Sequence, residues 1–333
     1  MRDAKGTKFV AGSLSHLRLR KLRRRLLAWY DEKARDLPWR ADHDPYRVWL
    51  SEIMLQQTRV AAVIAHYQEF LRRFPTVEKL AVAREASVLA AWSGLGYYRR
   101  ARMLHAAARV VAREYSGKFP DTVEGLRALP GIGRYTAAAI ASISFGERVA
   151  VVDGNVERVL QRVSGKRLAG EELWEAANEA LDVKRPGDFN QAMMELGATV
   201  CTPRSPECLT CPVVKLCATR GELSATAKVV PQKKRDIHYF LGHRDGEVLL
   251  VKRPPDASLM PGMWELPEVS AMNGDGVPLF TLRHSITNTD YKVKVWRDVS
   301  PSPSGGKWIP VKQLRKVAMT GLARKIFRGA ELL

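Results

Sequence analysis

Two carboxylates and a run of four cysteines are the residues of this chain whose types and spacing could do chemistry. Asp153, in Val151-Val152-Asp153-Gly154-Asn155-Val156, stands directly before a helical pattern over 155–163. Aspartate is a favoured helix N-cap, and that alone accounts for it. The same position also favours the ionised carboxylate at the positive end of the helix dipole, where a lasting anion can face an oxocarbenium ion. Glu52 lies on a helix opened by Asp44-Pro45, and within three or four positions it has Val48, Trp49, Leu55 and Gln56. A carboxyl group desolvated by such neighbours holds its proton toward neutrality and can serve as an acid. Taken alone, Glu52 reads more simply as a solvated flank residue paired with Arg59.

The cysteines follow the spacing Cys201-x6-Cys208-x2-Cys211-x5-Cys217. A disulfide framework would scatter them to close long loops, whereas four thiolates this close together can enclose one metal centre. With a single CxxC pair instead of two, the spacing leaves zinc and an iron–sulfur cluster both open. A third motif, Leu129-Pro130-Gly131-Ile132-Gly133-Arg134-Tyr135-Thr136, sits between two helical patterns. Gly131 and Gly133 permit a tight turn with close backbone approach, and the helix that follows begins with free N–H groups, suited to phosphate. Arg134 adds a charge at that point. Gly-x-Gly by itself is equally an ordinary helix–helix turn.

The elements that must position these residues are mostly helices. Apolar residues recur at three- and four-residue intervals from residue 14 to 200, with little strand signal. An amphipathic helix opens at Leu14–Tyr30. The helix begun at Pro45 carries the stripe Tyr46, Trp49, Leu50, Ile53, Val60 and Ile64, and further helices are expected near 76–92, 99–115, 121–128, 134–145, 155–163, 170–181 and 188–199. Residues 221–234 are small, polar and basic, as in a linker. Beyond them 237–241, 248–252, 291–296 and 308–310 read as short strands, and 320–332 as a closing helix. The expected architecture is therefore a mainly α region, 14–220, followed by a smaller α+β domain, 235–333.

Lys and Arg number 54 against 35 Asp and Glu, a formal charge of +19, which favours a polyanionic partner. No segment approaches the roughly 18 apolar residues of a spanning helix, and no apolar core follows the basic run 16–25, so neither a membrane nor a secretion signal is expected. A cytoplasmic, nucleoid-associated monomer is the expectation.

With these motifs in order, residues 26 to about 220 resemble the catalytic domain of MutY-type adenine DNA glycosylases, within the endonuclease III or helix–hairpin–helix glycosylase superfamily. The stretches that carry the resemblance are Leu37-Pro38-Trp39-Arg40, the run from Trp49 to Thr58, Gly94-Leu95-Gly96-Tyr97-Tyr98, the glycine hairpin, Val152 to Val156, and Asn190 to Gly197 leading into the cysteines. The resemblance implies a [4Fe–4S] cluster in the loop 201–217, held by Cys201, Cys208, Cys211 and Cys217. It also implies Glu52 as the acid that protonates adenine N7, Asp153 as the anion facing the sugar cation, and Asn155 as its orienting partner. Tyr135 stands where relatives with lyase activity carry a Schiff-base lysine, so base removal without efficient strand cleavage is expected. Trp39, Arg40, Leu55, Gln191 and Met194 would line the adenine pocket, and Gln57 and Tyr97 would enter the stack as adenine flips out.

The C-terminal domain resembles the Nudix-like domain that inspects 8-oxoguanine in this family, through Lys252-Arg253-Pro254 and Pro261 to Pro267. It lacks an acidic Nudix hydrolase box. The family's lesion-sensing Phe-Ser-His corresponds to Ile286-Thr287-Asn288 here, leaving the Thr287 hydroxyl to meet the lesion. The expected partner is duplex DNA with adenine opposite 8-oxoguanine or guanine. Action on another base, or pure DNA binding that reports cluster redox state, fits less well, since binding alone requires neither Glu52 nor Asp153.

Overall fold

The computed structural model describes residues 15–222, 233–257, 259–270, 277–286, 289–297 and 306–333. In chain order the helices are α1 (His16–Lys33), α2 (Pro45–Leu55), α3 (Val60–Arg73), α4 (Val77–Ala81), α5 (Glu85–Trp92), α6 (Arg99–Glu114), α7 (Val123–Arg127), α8 (Arg134–Phe145), α9 (Gly154–Ser164), α10 (Gly170–Ala180), α11 (Pro186–Thr199) and α12 (Gly321–Gly329). The strands are β1 (Lys233–Phe240), β2 (His243–Arg244), β3 (Glu247–Lys252), β4 (Trp264–Glu265), β5 (Glu268–Val269), β6 (Phe280–Ile286), β7 (Thr289–Trp296) and β8 (Lys307–Pro310). Their boundaries follow local chemistry. Asp44 accepts from the Arg47 N–H at 2.9 Å with Pro45 in the first turn of α2, and Thr122 and Thr320 cap α7 and α12 in the same way. Gly146 and Gly165 take the left-handed conformation that ends α8 and α9.

Contacts divide the chain into two units, one of 1–56 with 113–227, the other of 57–112 with 228–333. In this division helices α3 to α5 and most of α6 group with the C-terminal strands. Buried polar contacts hold them there. The Tyr98 hydroxyl donates to the Met319 carbonyl at 2.9 Å, and the Arg102 guanidinium donates to the Pro261 carbonyl at 2.6 Å. Periodicity locates an apolar stripe but carries no record of which core it joins.

The first unit is helical, its core formed where α1, α9, α10 and α11 meet through residues such as Leu22, Leu26, Val159, Leu173, Phe189 and Leu196. In the second unit β5, β1, β7 and β6 form one sheet, with β1 and β7 parallel and β6 and β7 antiparallel, Val293 facing Ile237 and Leu282 across the ladders. In the other sheet β3 pairs antiparallel with β2, β4 and β8. Leu250, Val293, Val295, Ile326 and Phe327 bury the apolar faces of sheets and α12 in one core.

Other expectations change in detail. The stripe drawn through Val60 and Ile64 belongs to a separate helix: α2 stops at Leu55, and Gln57 adopts a left-handed φ of 55° before α3 begins. Neither glycine nor proline marks that break. The stretch 76–92 is likewise two helices, and β1 begins at Lys233, inside the expected linker. Strand β6 was not expected, since its alternation places exposed Thr281, Arg283 and Ser285 between half-buried residues instead of giving an apolar run. Thr287 lies outside the described residues. Among the described residues no helix is long and apolar enough to cross a membrane.

Candidate active site

Helix α2 carries Glu52 into the interior of the first unit, where the residue is 7% exposed. The Tyr135 hydroxyl, from the first turn of α8, donates to its Oε2 at 2.7 Å and approaches the Met194 sulfur on α11 at 3.4 Å. Burial pushes the Glu52 carboxyl up to about 7; the Tyr135 hydrogen bond opposes this, Asp153 adds to it and Arg40 opposes it. The phenol of Tyr135 is raised well above its ordinary range, first by burial and then by Glu52 and Asp153. Glu52 is therefore near half-protonated at neutral pH. The apolar neighbourhood read from the sequence decides against the solvated flank.

Asp153 does cap α9. Its Oδ1 accepts from the Asn155 and Val156 N–H groups at 2.9 and 2.8 Å, and its Oδ2 accepts from Asn155 Nδ2 at 2.9 Å. The strand-like approach to this cap is pinned by Asn190, whose amide accepts from Val151 N–H at 3.1 Å and donates to Ser142 Oγ and the Val149 carbonyl at 2.9 Å each. Gly197 on α11 allows α9 to come close: a Cβ there would lie 2.5 Å from the Asn155 Cβ. Asp153 is thus a helix cap, and its charge acts on both Glu52 and Tyr135, which puts the three groups within electrostatic reach of one another.

The remaining expected residues divide. Trp39 is buried, Leu55 and Gln191 are half-buried, and Met194 meets the Tyr135 hydroxyl. Arg40 is already engaged: its Nη2 donates to Glu195 Oε2 at 2.9 Å, its Nη1 to the Arg35 carbonyl at 3.1 Å, and its guanidinium lies over the Tyr30 ring. In the second unit Gln57 and Tyr97 are exposed, both with left-handed backbone, φ 55° and 47°.

The hairpin has the expected form: Gly131 is left-handed at φ 76°, Gly133 is the N-cap of α8 with nothing within 4 Å of a would-be Cβ, and no side chain caps the first N–H groups. Those donors are open to a phosphate. Arg134, in contrast, pairs with Glu171 at 2.5 Å and stacks over Trp174 instead of standing free.

All four cysteines line one small pocket beside α9 and α11. Cys201 Sγ accepts from Arg162 Nη1 at 3.3 Å and Cys217 Sγ from the Arg220 N–H at 3.3 Å, donors that suit anionic sulfur. Burial pushes the Cys211 thiol up to about 11, so a thiolate there needs a cation beside it. Donor type, number and enclosure fit a metal centre. Among the described residues no group of three His, Cys, Asp or Glu side chains is arranged to hold a lone ion.

Three further residues were not singled out from the sequence. Glu195, with a side chain 1% exposed, takes both Arg40 and the Arg35 fork at 2.6 and 2.8 Å. Burial raises its carboxyl, but the two guanidiniums outweigh that and leave it below the ordinary range. Its stabilisation is present above the unfolded carboxyl value and is lost as pH falls through the depressed one. Glu195→Ala should cost about 3–5 kcal/mol by leaving Arg40 buried without its partner. Denaturant unfolding would show it, and a loss under about 1 kcal/mol would contradict the assignment. Arg158 bridges Asn155 Oδ1, the Gly197 carbonyl and the Cys201 carbonyl, all at 2.7 Å, tying the Asp153 cap to the cysteine loop. Arg162 reaches the Cys201 sulfur one turn later. Their i, i+4 spacing on α9 was the available signal.

Comparison with known proteins sets the class first: residues 50–181 match the HhH-GPD superfamily base excision DNA repair protein family. The human adenine DNA glycosylase is 35% identical over 397 aligned positions, covering 91% of this chain and 72% of that protein. Among solved structures, a thermostable thymine-DNA glycosylase superposes with TM-score 0.58 at 31% identity, over 61% of this chain and 97% of the other. A trapped endonuclease III–DNA covalent intermediate shares the fold, with TM-score 0.55 at 22% identity over 62% and 97%. The chain belongs to the MutY-type adenine DNA glycosylases, hydrolases of base excision repair.

Proposed function

We propose that this glycosylase extrudes adenine mispaired with 8-oxoguanine or guanine from duplex DNA and hydrolyses its N-glycosidic bond while leaving the strand intact. The observation that carries the reading is Glu52: buried, with a carboxyl near 7, hydrogen-bonded to Tyr135 and influenced by Asp153. Protonated Glu52 donates to adenine N7, the C1′–N9 bond breaks with its electron pair leaving on the neutral purine, and the sugar becomes an oxocarbenium ion. Asp153 supplies the opposing charge, with Asn155 fixing its Oδ2. Water then adds at C1′, its surplus proton returning to Glu52. Tyr135 cannot form an imine, so no lyase step follows.

The donor set Cys201, Cys208, Cys211 and Cys217 is four thiols converging on one pocket, a set that suits a [4Fe–4S] cluster, the cofactor the resemblance implies. Bound there, a cluster would ionise the thiols and close the loop 201–217 against α9. The hairpin N–H groups meet phosphate, and the C-terminal strands, as a Nudix-like domain, inspect the opposing base, with Thr287 as the residue that meets the lesion. The resemblance to a thymine-DNA glycosylase structure favours one second reading, thymine opposite guanine as substrate.

Single-turnover base release from duplexes with A opposite 8-oxoguanine, G or C, and T opposite G, tests both. Adenine release should be fastest opposite 8-oxoguanine, and strand breaks should appear only after hot alkali. Faster thymine release, or breaks without alkali, would overturn the corresponding part.

A further inference from the structure

In the second unit, away from Glu52, α3, the end of α5 and the C-terminal helical turns line a cleft with about 850 Å³ of open space. Its lining is unusually cationic. Arg73 comes from α3, Arg315 from the turn before α12, and Arg324 and Arg328 from successive turns of α12. Its one acidic side chain, Glu69, already accepts from Arg72 at 2.8 and 2.9 Å and from Arg73 at 2.6 Å, and the terminal Leu333 also borders the cleft. Among the described residues no carboxylate pairs with Arg315, Arg324 or Arg328.

Arg324 sets the floor of the cleft. Its Nε donates to the Ser93 hydroxyl, which is itself tied to Tyr98 and to the Met319 carbonyl, and among the described residues no acceptor takes its Nη protons. Burial lowers its pKa, and the nearby charges of Arg328 and Arg73 lower it further. A half-buried guanidinium with like-charged neighbours and no counter-ion costs free energy that a bound anion recovers. Guanidinium forks match phosphate oxygens two at a time. The cleft exceeds the size of one small ion, and small side chains, Ala65 and Ala90, leave room for a larger body.

We propose that this cleft binds closely spaced phosphate groups, held by the Arg324 fork from below and by Arg315, Arg328 and Arg73 around it. The ligand chemistry is that of adjacent phosphates, from a free phosphorylated compound such as a nucleoside diphosphate or from the backbone of bound DNA. The site stands independently of the function assigned to Glu52.

Calorimetric titration of inorganic pyrophosphate into the full chain at fixed ionic strength should give one saturable site. Arg315→Gln combined with Arg328→Gln should weaken it at least tenfold, as should Arg324→Gln; Arg20→Gln, on the exposed face of α1, should leave it unchanged. Arg315 and Arg328 are exposed, so their double variant keeps the test readable if Arg324→Gln fails to fold. Affinity for an undamaged duplex separates the sources. Duplex binding unchanged in the double variant assigns the site to a free phosphorylated compound, and a parallel fall, with pyrophosphate competing against DNA, assigns it to the backbone. No saturable pyrophosphate binding, or equal affinity in the wild type and the double variant, overturns the proposal.

Discussion

Glu52→Gln should lower the single-turnover rate of adenine release by about 10³-fold or more while duplex affinity stays within twofold. General acid catalysis supplies about 10²–10⁴-fold, and a factor of 10³ corresponds to about 4 kcal/mol of transition-state stabilisation. Glutamine keeps the shape and still accepts the Tyr135 hydroxyl, so the change removes only the proton. In the wild type the acid must be protonated, so release should fall as pH rises through about 7, the value to which burial pushes this carboxyl. Stability should move the same way. Between the ordinary value of 4.5 and about 7 the folded protein holds a proton that the unfolded chain has released. Each pH unit in that window therefore costs about 1.4 kcal/mol. Above pH 7 the ionised side chain costs about 3 kcal/mol in total, so the inactive Gln variant should melt higher than wild type at pH 8, and the gap should close near pH 4.5. A variant that retains release, or whose melting gain does not depend on pH, would show that Glu52 is not the buried acid.

What could be read in advance depended on the range of the interaction. Val48, Trp49 and Leu55, the apolar neighbours of Glu52, were visible on its own helix within one turn. Taken alone they left a solvated flank as the simpler reading, and only the family resemblance pointed to a buried acid. Asp153 as a cap and Gly131 as a left-handed turn are equally local. The Glu195 pairing with Arg35 and Arg40 spans about 160 residues, and no periodicity encodes it. The break at Gln57 was missed because its cause is tertiary: a non-glycine residue held at positive φ shows no composition signal. Arg40 and Arg134 show the reverse error. Their charge was legible, but not that Glu195 and Glu171 already hold them.

Asp153→Asn should be as severe for catalysis as the loss of Glu52, for a different reason. An anion about 4 Å from a full positive charge, at an effective dielectric near 20, is worth about 4 kcal/mol, or about 10³ in rate. Asparagine caps helices as well as aspartate does, so α9 keeps the hydrogen bonds from the Asn155 and Val156 N–H groups. The substitution is not locally silent, however. Oδ2 becomes an NH2 group facing Asn155 Nδ2, and Asn155 cannot flip, because Arg158 donates to its Oδ1 at 2.7 Å. Two donors then meet, at about 1–3 kcal/mol. Adding Asn155→Asp restores an acceptor at that point and pairs it with Arg158. The double variant therefore keeps one carboxylate in the cluster but moves it to the neighbouring side chain. If Asp153 acts by facing the sugar cation, the double variant should recover the melting temperature and remain at least about 10³-fold slow. If it recovers adenine release along with stability, the charge is needed only in the neighbourhood, and Asp153 is a helix cap that the reaction does not use.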